Sequence, residues 1–350
     1  DVKEDVPKEK TLVKQTDMSV TAPIPEELLI KAEPSYLNNR EVFIRDINLK
    51  LNKIFSLLDL DEESVISCDV KADDKFDLLT HQKIVKYYIN LFTPYRGLLL
   101  YHGLGAGKTC SSIAIAEGMK TYKKVLIMTP ASLRVNFIEE LKKCGDPLYK
   151  REQYWEFINT KTKPEMIMMI KERLHLPDEF IRKNGGAWMI NDKFQSNYET
   201  LSPIEKRSLD KQINEMIKQK YEFINYNGLQ KKKFDELVAS VESKNFFDDK
   251  IVIIDEVHNL ISRIVNKIKL SKAKRDGAVS FLLYKKLMDA HNAKVVLLSG
   301  TPMINYPNEI GILFNILRGY IKTFKIPLNI TKATDKVDND SMIRLFKQSK

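Results

Sequence analysis

Five short apolar runs punctuate the chain: GLLLYH (97–102), KVLIMT (124–129), YEFINY (221–226), KIVIID (250–255) and KVVLLS (294–299). Each is nearly continuous rather than alternating, the pattern of a strand buried on both faces, so together they predict a parallel sheet. Helical patterns separate most of them, such as CSSIAIAEGMK after the first and SLRVNFIEELKKC after the second. That order predicts an α/β lobe. Upstream, Val42, Ile44, Ile47, Leu51, Ile54 and Leu57 fall near helical spacing and predict an amphipathic packing helix within 39–60, ending before DLDEES. Residues 1 to about 35 mix Lys, Glu, Asp, Thr and Pro with few aromatics and read as a tail. Between 146 and 220 the strand-helix order breaks into a polar, helix-rich insertion that holds Trp155 and Trp188. Its SPIE predicts a helix start, with Ser202 as cap, Pro203 in the first turn and Glu205 three residues on. The resulting division is an N-terminal extension over 1–75, an α/β lobe over 76–320 with its insertion at about 146–220, and a linking segment over 321–350.

Composition narrows the classes without choosing among them. With 350 residues, 43% hydrophobic and 30% charged, the chain has material for one large or two medium domains. Its net charge of +10 suits a polyanionic partner. Cys68, Cys110 and Cys144 are odd in number and far apart, which suggests neither a disulfide framework nor a zinc knuckle and fits a reducing compartment. No apolar stretch approaches the ~20 residues of a membrane span, and DVKEDVPKEK lacks a signal-peptide core. The chain therefore reads as soluble and intracellular. A start at Asp1 rather than Met reads as processing or a piece of something longer.

The first run opens on candidate chemistry. LLLYHGLGAGKT (98–109) fits G-x-x-x-x-G-K-[ST] except that His102 stands where the first glycine belongs. A strand before the loop and a helix after it provide the context for an anion site, with backbone N–H groups facing phosphate. Gly103, Gly105 and Gly107 let the backbone curl, Lys108 brings charge to the β and γ phosphates, and Thr109 brings a hydroxyl to Mg²⁺. A second half-site lies in IVIIDEVH (251–258), where Asp255 ends a buried strand and can hold Mg²⁺ while Glu256 orients the attacking water. Two matched half-sites favour nucleotide hydrolysis over a pair of ordinary turns. VVLLSGTPMIN (295–305) then ends a third strand in Ser299, Gly300, Thr301 and Pro302.

GLGAGKT, TPASL (129–133), INYNGL (224–229), DEVH (255–258) and SGTP (299–302) resemble motifs I, Ia, Ib, II and III of superfamily 2 helicases, in that order. HQ at 81–82 resembles the glutamine motif, which places Gln82 near the adenine. In finer detail, TPYRGLLLYHGLGAGKTCSS, IDEVHNLISRIVNK and LSGTPMINYPNEIGILFNILRGY resemble helicase-like ATPases of nucleocytoplasmic large DNA viruses. That group includes the poxvirus nucleoside triphosphatase and the small subunit of the poxvirus early transcription factor.

The resemblance covers residues 76 to about 320 and implies a RecA-like P-loop NTPase lobe, a parallel sheet flanked by helices, with ATP and Mg²⁺ as cofactors. It implies that Lys108 and Thr109 bind phosphates and metal, that Asp255 holds Mg²⁺ and that Glu256 activates water. His258, Ser299 and Thr301 couple the nucleotide state to a nucleic acid strand, and Thr129, Pro130 and Asn225 lie near its backbone. The implied activity is that of a DEVH-box helicase or translocase on single-stranded DNA or RNA in viral transcription or genome handling. The alternative is a non-unwinding regulatory ATPase of a viral transcription initiation or termination complex, with viral RNA polymerase or transcription factors as partners. Virion and host cytoplasm are the implied locations. Relatives of this kind carry a second RecA-like lobe with an arginine motif after motif III, and no such motif stands among the 48 residues after Pro302. A second lobe is therefore expected in a longer chain, and the present one is expected to turn over slowly.

Basic clusters at KQK (218–220), QKKK (230–233) and KLSKAKRD (269–276) are candidates for phosphate-backbone contact. Because QKKK follows the motif Ib match, Lys231, Lys232 and Lys233 are the favoured set. His81, His175 and His291 show no metal-ligand spacing, and the tryptophans read as anchors of the insertion.

Overall fold

The computed structural model describes residues 40–57, 79–90, 93, 95–103, 105–241, 245–320 and 338–348. The expected tail over 1–35, the linker before the lobe and residues 321–337 of the segment over 321–350 lie outside the described residues. Two compact units are distinguished, Asp1–Gly319 and Tyr320–Lys350. In the second, one helix is described, over Asn339–Gln348.

In the first unit, helices α1 (Arg40–Leu57) and α2 (Thr80–Tyr88) precede strand β1 (Gly97–Tyr101). Helix α3 (Lys108–Glu117), strand β2 (Lys124–Thr129) and helix α4 (Arg134–Cys144) follow. The insertion contains β3 (Trp155–Asn159), α5 (Met166–Leu174), α6 (Asp178–Asn184), β4 (Gly186–Ile190) and α7 (Pro203–Lys220). The lobe resumes with β5 (Tyr221–Asn225), α8 (Lys231–Ala239), β6 (Lys250–Ile254) and α9 (Val257–Ile268). It closes with α10 (Lys272–Asp276), α11 (Val279–Asp289), β7 (Lys294–Ser299) and α12 (Asn308–Arg318). All five predicted strands form one parallel sheet in the order β1-β7-β6-β2-β5. The strand ending in Ser299 thus lies between the strand that feeds the glycine loop and the strand that ends before Asp255.

Continuous apolar runs are explained by what covers each face. Ile251 and Ile253 of β6, with Val125 and Ile127 of β2, join Ile113 and Ile115 of α3 and Phe137 and Leu141 of α4 in one core. The alternate residues, Val252 and Ile254 with Leu126 and Met128, join Leu260 and Ile264 of α9, Leu287 of α11 and Leu313 of α12 in the other. Every strand residue of β7 is buried, which a strand with one wet face does not show.

Two expectations are corrected here. The insertion is not only helical: β3 and β4 pair antiparallel, from Trp155 opposite Ile190 to Asn159 opposite Gly186. The cysteines are also not all single, because Cys110 on α3 and Cys144 on α4 form a disulfide across 34 residues of sequence. Both tryptophans are buried anchors: Trp155 Nε1 donates to the Arg151 carbonyl at 2.9 Å and Trp188 Nε1 to Ser208 Oγ at 3.2 Å. The helix start at Ser202 has the predicted reciprocal cap with Glu205.

Candidate functional site

At the carboxyl end of β1 the chain turns through Gly105 at φ 79° and Gly107 at φ 70°, both in the left-handed region where glycine carries no Cβ penalty. Gly107 then sets the first turn of α3: its carbonyl accepts from the Ser111 N–H at 2.9 Å and the Ser111 hydroxyl at 3.0 Å. Gln82 packs against the same residue. Its Nε2 donates to the Gly107 carbonyl at 3.3 Å, its Oε1 accepts from the Leu79 N–H at 3.0 Å, and a Cβ at Gly107 would stand 2.4 Å from Nε2. Gln82 is buried, so its amide braces the loop. By contrast, a Cβ at Gly103 or Gly105 would meet nothing within 4 Å, so those two face open space.

Lys108 Nζ donates to the carbonyls of His102 at 2.9 Å and Gly103 at 3.0 Å. His102, the departure from the strict pattern, stacks edge-on against His81 with ring centroids 5.4 Å apart. Burial, with His81 and Lys108 adding to it, lowers the His102 pKa from the ordinary histidine value. His81 in turn reaches the Ala106 carbonyl at 3.1 Å.

Two strands away, β6 ends at Ile254 and the chain bends sharply into α9. The bend needs Glu256 at φ 46°, ψ 49°, a left-handed conformation that a residue with a Cβ rarely adopts. Strain of this kind concentrates at functional positions. Asp255 Oδ1 accepts the Glu256 N–H at 3.0 Å. Its carboxyl pKa is raised to about 6, by burial first and then by the neighbouring Glu256, while Lys108 pulls the other way. Glu256 Oε2 lies 3.3 Å from His258 Nδ1, which also meets Ser299 Oγ at 3.0 Å. Ser299 Oγ accepts the Thr301 N–H at 3.0 Å, so the ends of β6 and β7 are tied by a short polar chain. Thr109 sits half-buried at the start of α3.

The donor set suits a magnesium nucleotide. A buried carboxylate held above its usual range gains from a divalent partner, and Gly103 and Gly105 leave room beside the Lys108 amine.

Residues assigned to a strand track are more scattered. Thr129 is fully buried and its Oγ1 donates to the Pro130 carbonyl at 3.1 Å, so the hydroxyl is turned inward; Ala131 and Ser132 are the exposed residues of that turn. Asn225 ends β5, and its buried Oδ1, like that of Asn227, has no partner among the described residues. Lys231, Lys232 and Lys233 are exposed on the first turn of α8, with Lys231 paired to Asp235 at 2.5 Å.

Sequence reasoning passed over Tyr226, the third letter of INYNGL. Its hydroxyl lies 2.9 Å from the carbonyls of both Asp255 and Glu256. It also passed over Glu309, a buried carboxylate that gathers the N–H groups of Ile304 and Asn305 and so fixes the loop after Thr301.

This chain is similar to proteins of large DNA viruses. A protein of Acanthamoeba polyphaga mimivirus named as an ATP-dependent RNA helicase is 31% identical over 247 residues, 69% of this chain and 33% of that protein. A protein of Invertebrate iridescent virus 3 named as a helicase is 26% identical over 255 residues, 69% of this chain and 20% of its own length. A termination factor NPH-I homolog of African swine fever virus is 24% identical over 257 residues, again 69% of this chain, and 27% of its own length. The chain thus spans a third or less of these relatives. Residues 75–304, more than half of the chain and the whole stretch from the glutamine through the Ser299–Pro302 turn, match the family described as type III restriction enzyme, res subunit. The loop at Lys108, the acid pair at Asp255 and the serine turn at Ser299 stand on its strand ends in that matched region, and the chain belongs to this family of superfamily 2 helicase-type ATPase domains.

Proposed function

We propose that the site binds Mg·ATP and hydrolyses it in step with a nucleic acid strand. The observation that carries this reading is the convergence of the Lys108 amine, the Asp255 carboxylate and the Glu256–His258–Ser299 chain at the carboxyl ends of β1, β7 and β6. His102, Gly103, residues 105–107 and the N-terminus of α3 would cradle the phosphates. Lys108 binds the β and γ oxygens as a point charge, and Thr109 and Asp255 would hold Mg²⁺. When bound, that ion neutralises charge on the phosphate oxygens. Glu256 orients a water and takes its proton, with His258 beside its carboxylate to fix its direction. His258, Ser299 and Thr301 would carry a change at the phosphate to the turn beyond β7.

The strand would pass over the carboxyl ends of β2 and β5, near Pro130, the exposed turn after it, Asn225 and Lys231 to Lys233. Thr129 contributes there through its backbone. The test is single-stranded oligonucleotide binding across a salt series. Each lost phosphate contact flattens the log–log slope by ~0.7 for single strands, so removing Lys231, Lys232 and Lys233 together should flatten it by up to about 2. An unchanged slope would remove this patch from the track.

The African swine fever virus relative is named as a termination factor homolog, which favours a second reading: a regulatory ATPase working through a viral transcription complex without unwinding. ATP-dependent strand separation by the protein alone supports the first reading, and turnover that requires the viral polymerase supports the second. Both place the protein in the virus and its host cytoplasm. A second RecA-like lobe supplying an arginine to the γ-phosphate belongs to either.

A further inference from the structure

Tyr226 joins two parts of the site that the sequence treats separately. It opens the short turn Tyr226–Gly228 directly after β5, at the edge of the sheet, and its ring is buried in the core beneath β2. From there its hydroxyl reaches past β2 to the exit of β6, 2.9 Å from the Asp255 carbonyl and 2.9 Å from the Glu256 carbonyl. These carbonyls lie on either side of Glu256, the residue held in the left-handed region.

The backbone of the acid pair is tied at every polar atom. Asp255 N–H donates to the Met128 carbonyl at 2.9 Å, Glu256 N–H to the Asp255 carboxylate, and Asn259 N–H to the Glu256 carbonyl at 3.0 Å. Tyr226 supplies the side-chain donor that bridges both carbonyls, and it comes from the turn beside the strand track. The same turn grips α9 a second time, because Arg263 Nη1 donates to the Asn227 carbonyl at 3.1 Å. Asn225 and Asn227, on either side of Tyr226, have buried amide oxygens without partners among the described residues.

A phenol carries one proton, so it cannot donate fully to two carbonyls at equal distance. A small displacement of the turn would favour one acceptor over the other and would rotate the Asp255–Glu256 peptide with it. Packed interiors answer small shifts by switching between arrangements rather than by bending smoothly.

We propose that Tyr226 is the positioning residue through which a strand lying on the 225–233 segment sets the direction of the Glu256 carboxylate. The proposal rests on the reading of the site as a nucleic-acid-coupled ATPase. Tyr226 touches neither nucleotide nor strand in this scheme; it transmits the position of one to the group that acts on the other.

The test uses the protein and Tyr226→Phe, which removes one oxygen and keeps the ring. Affinity for a labelled single-stranded oligonucleotide is measured with and without Mg²⁺ and a non-hydrolysable ATP analogue, and single-turnover hydrolysis is measured with and without the oligonucleotide. Coupling between two sites commonly lies at about 5- to 150-fold, and wild type should fall there. In Y226F each ligand alone should bind within roughly 2-fold of wild type while the coupling factor falls below about 2 and the strand-stimulated single-turnover rate drops with its half-saturating ATP concentration unchanged. A merely structural role would lower both separate affinities together. Arg263→Ala, at the surface, loosens the same turn without touching the core and should reduce the coupling in part; it carries the test if Y226F does not fold. Full coupling in either folded variant would overturn the proposal, as would a wild-type protein that binds both ligands independently. Wild type that binds no nucleotide would overturn the reading of the site itself, and that outcome is seen before any variant is made.

Discussion

Replacing Glu256 by glycine should leave a more stable protein than replacing it by alanine, while both changes slow its proposed turnover. At φ 46°, ψ 49° the residue occupies a conformation that costs an L-residue roughly 1–2 kcal/mol. Glycine is spared that cost but loses about 0.5–1 kcal/mol more chain entropy on folding. The comparison that isolates the strain is Glu256→Gly against Glu256→Ala. Both variants lack the carboxylate, so both relieve its repulsion of Asp255 and both lose the contact with His258. Glu256 makes no side-chain cap to α9, so neither variant forfeits one. What remains is a difference of about 0.75 kcal/mol at the midpoints, within a span of about 0 to 1.5, in favour of glycine, the reverse of the order found in a helix interior, where alanine leads by about 1. In a domain of this size that is a melting-temperature gap of roughly 1–4 °C, readable by circular dichroism, with urea midpoints as a second measure. Hydrolysis should fall by about two orders of magnitude or more in both, with Mg·ATP binding retained. An alanine variant more stable than the glycine variant would refute the strain, and near-normal turnover in either would move the base elsewhere.

Lys108→Ala should abolish productive Mg·ATP binding, since it removes the cation beside the loop's open side; undiminished affinity by calorimetry would reject the site. Cutting the Cys110–Cys144 crosslink with Cys110→Ser, or by reduction, should cost about 3–4 kcal/mol for a loop closed across 34 residues, checked by urea denaturation with and without reductant. Lys294 donates to the carbonyls of Thr93 and Tyr95, and burial, with Lys123 nearby, lowers its pKa to about 8. The unfolded chain then binds more protons between pH 8 and about 10.5, so this group makes stability rise with pH across that window. Lys294→Met should flatten the rise, and identical pH–stability curves for the two proteins would contradict the assignment.

The main sheet was legible because its strands carry apolar residues on both faces, and a run such as KVVLLS admits few other readings. WEFIN and GAWMI were not legible as a pair: the first exposes Glu156 and Phe157, the second follows a glycine, and their pairing spans two intervening helices. Cys110 and Cys144 could not be joined from spacing, since the angle at which α4 crosses α3 is a property of the packed core. The loop lysine and the acid pair stand out in the sequence as candidates because the chemistry proposed for them needs fixed residue types at fixed spacing. Gln82 and Thr129 were found as letters but not as contacts: each meets its neighbours through a tertiary arrangement that turns its polar atoms inward. Tyr226 had no signal of its own, because a tyrosine at a strand end is ordinary until the strand order sets its hydroxyl beside β6.

The lysine of the glycine loop is an aimed group. An ammonium has three N–H bonds, and in Lys108 two of them are spent on the carbonyls of His102 and Gly103, which leaves one direction that a phosphate oxygen would take under the proposed function. A free lysine loses up to about 2 kcal/mol of rotamer entropy when it is fixed, and here that loss belongs to folding rather than to ligand capture. In the proposed site, recognition would thereby be sharpened for a single oxygen at a single bearing. An arginine, whose planar fork spreads five donors, could not hold both carbonyls and still point its remaining charge along the same line. The loop therefore depends on the tetrahedral shape of its cation as much as on the charge.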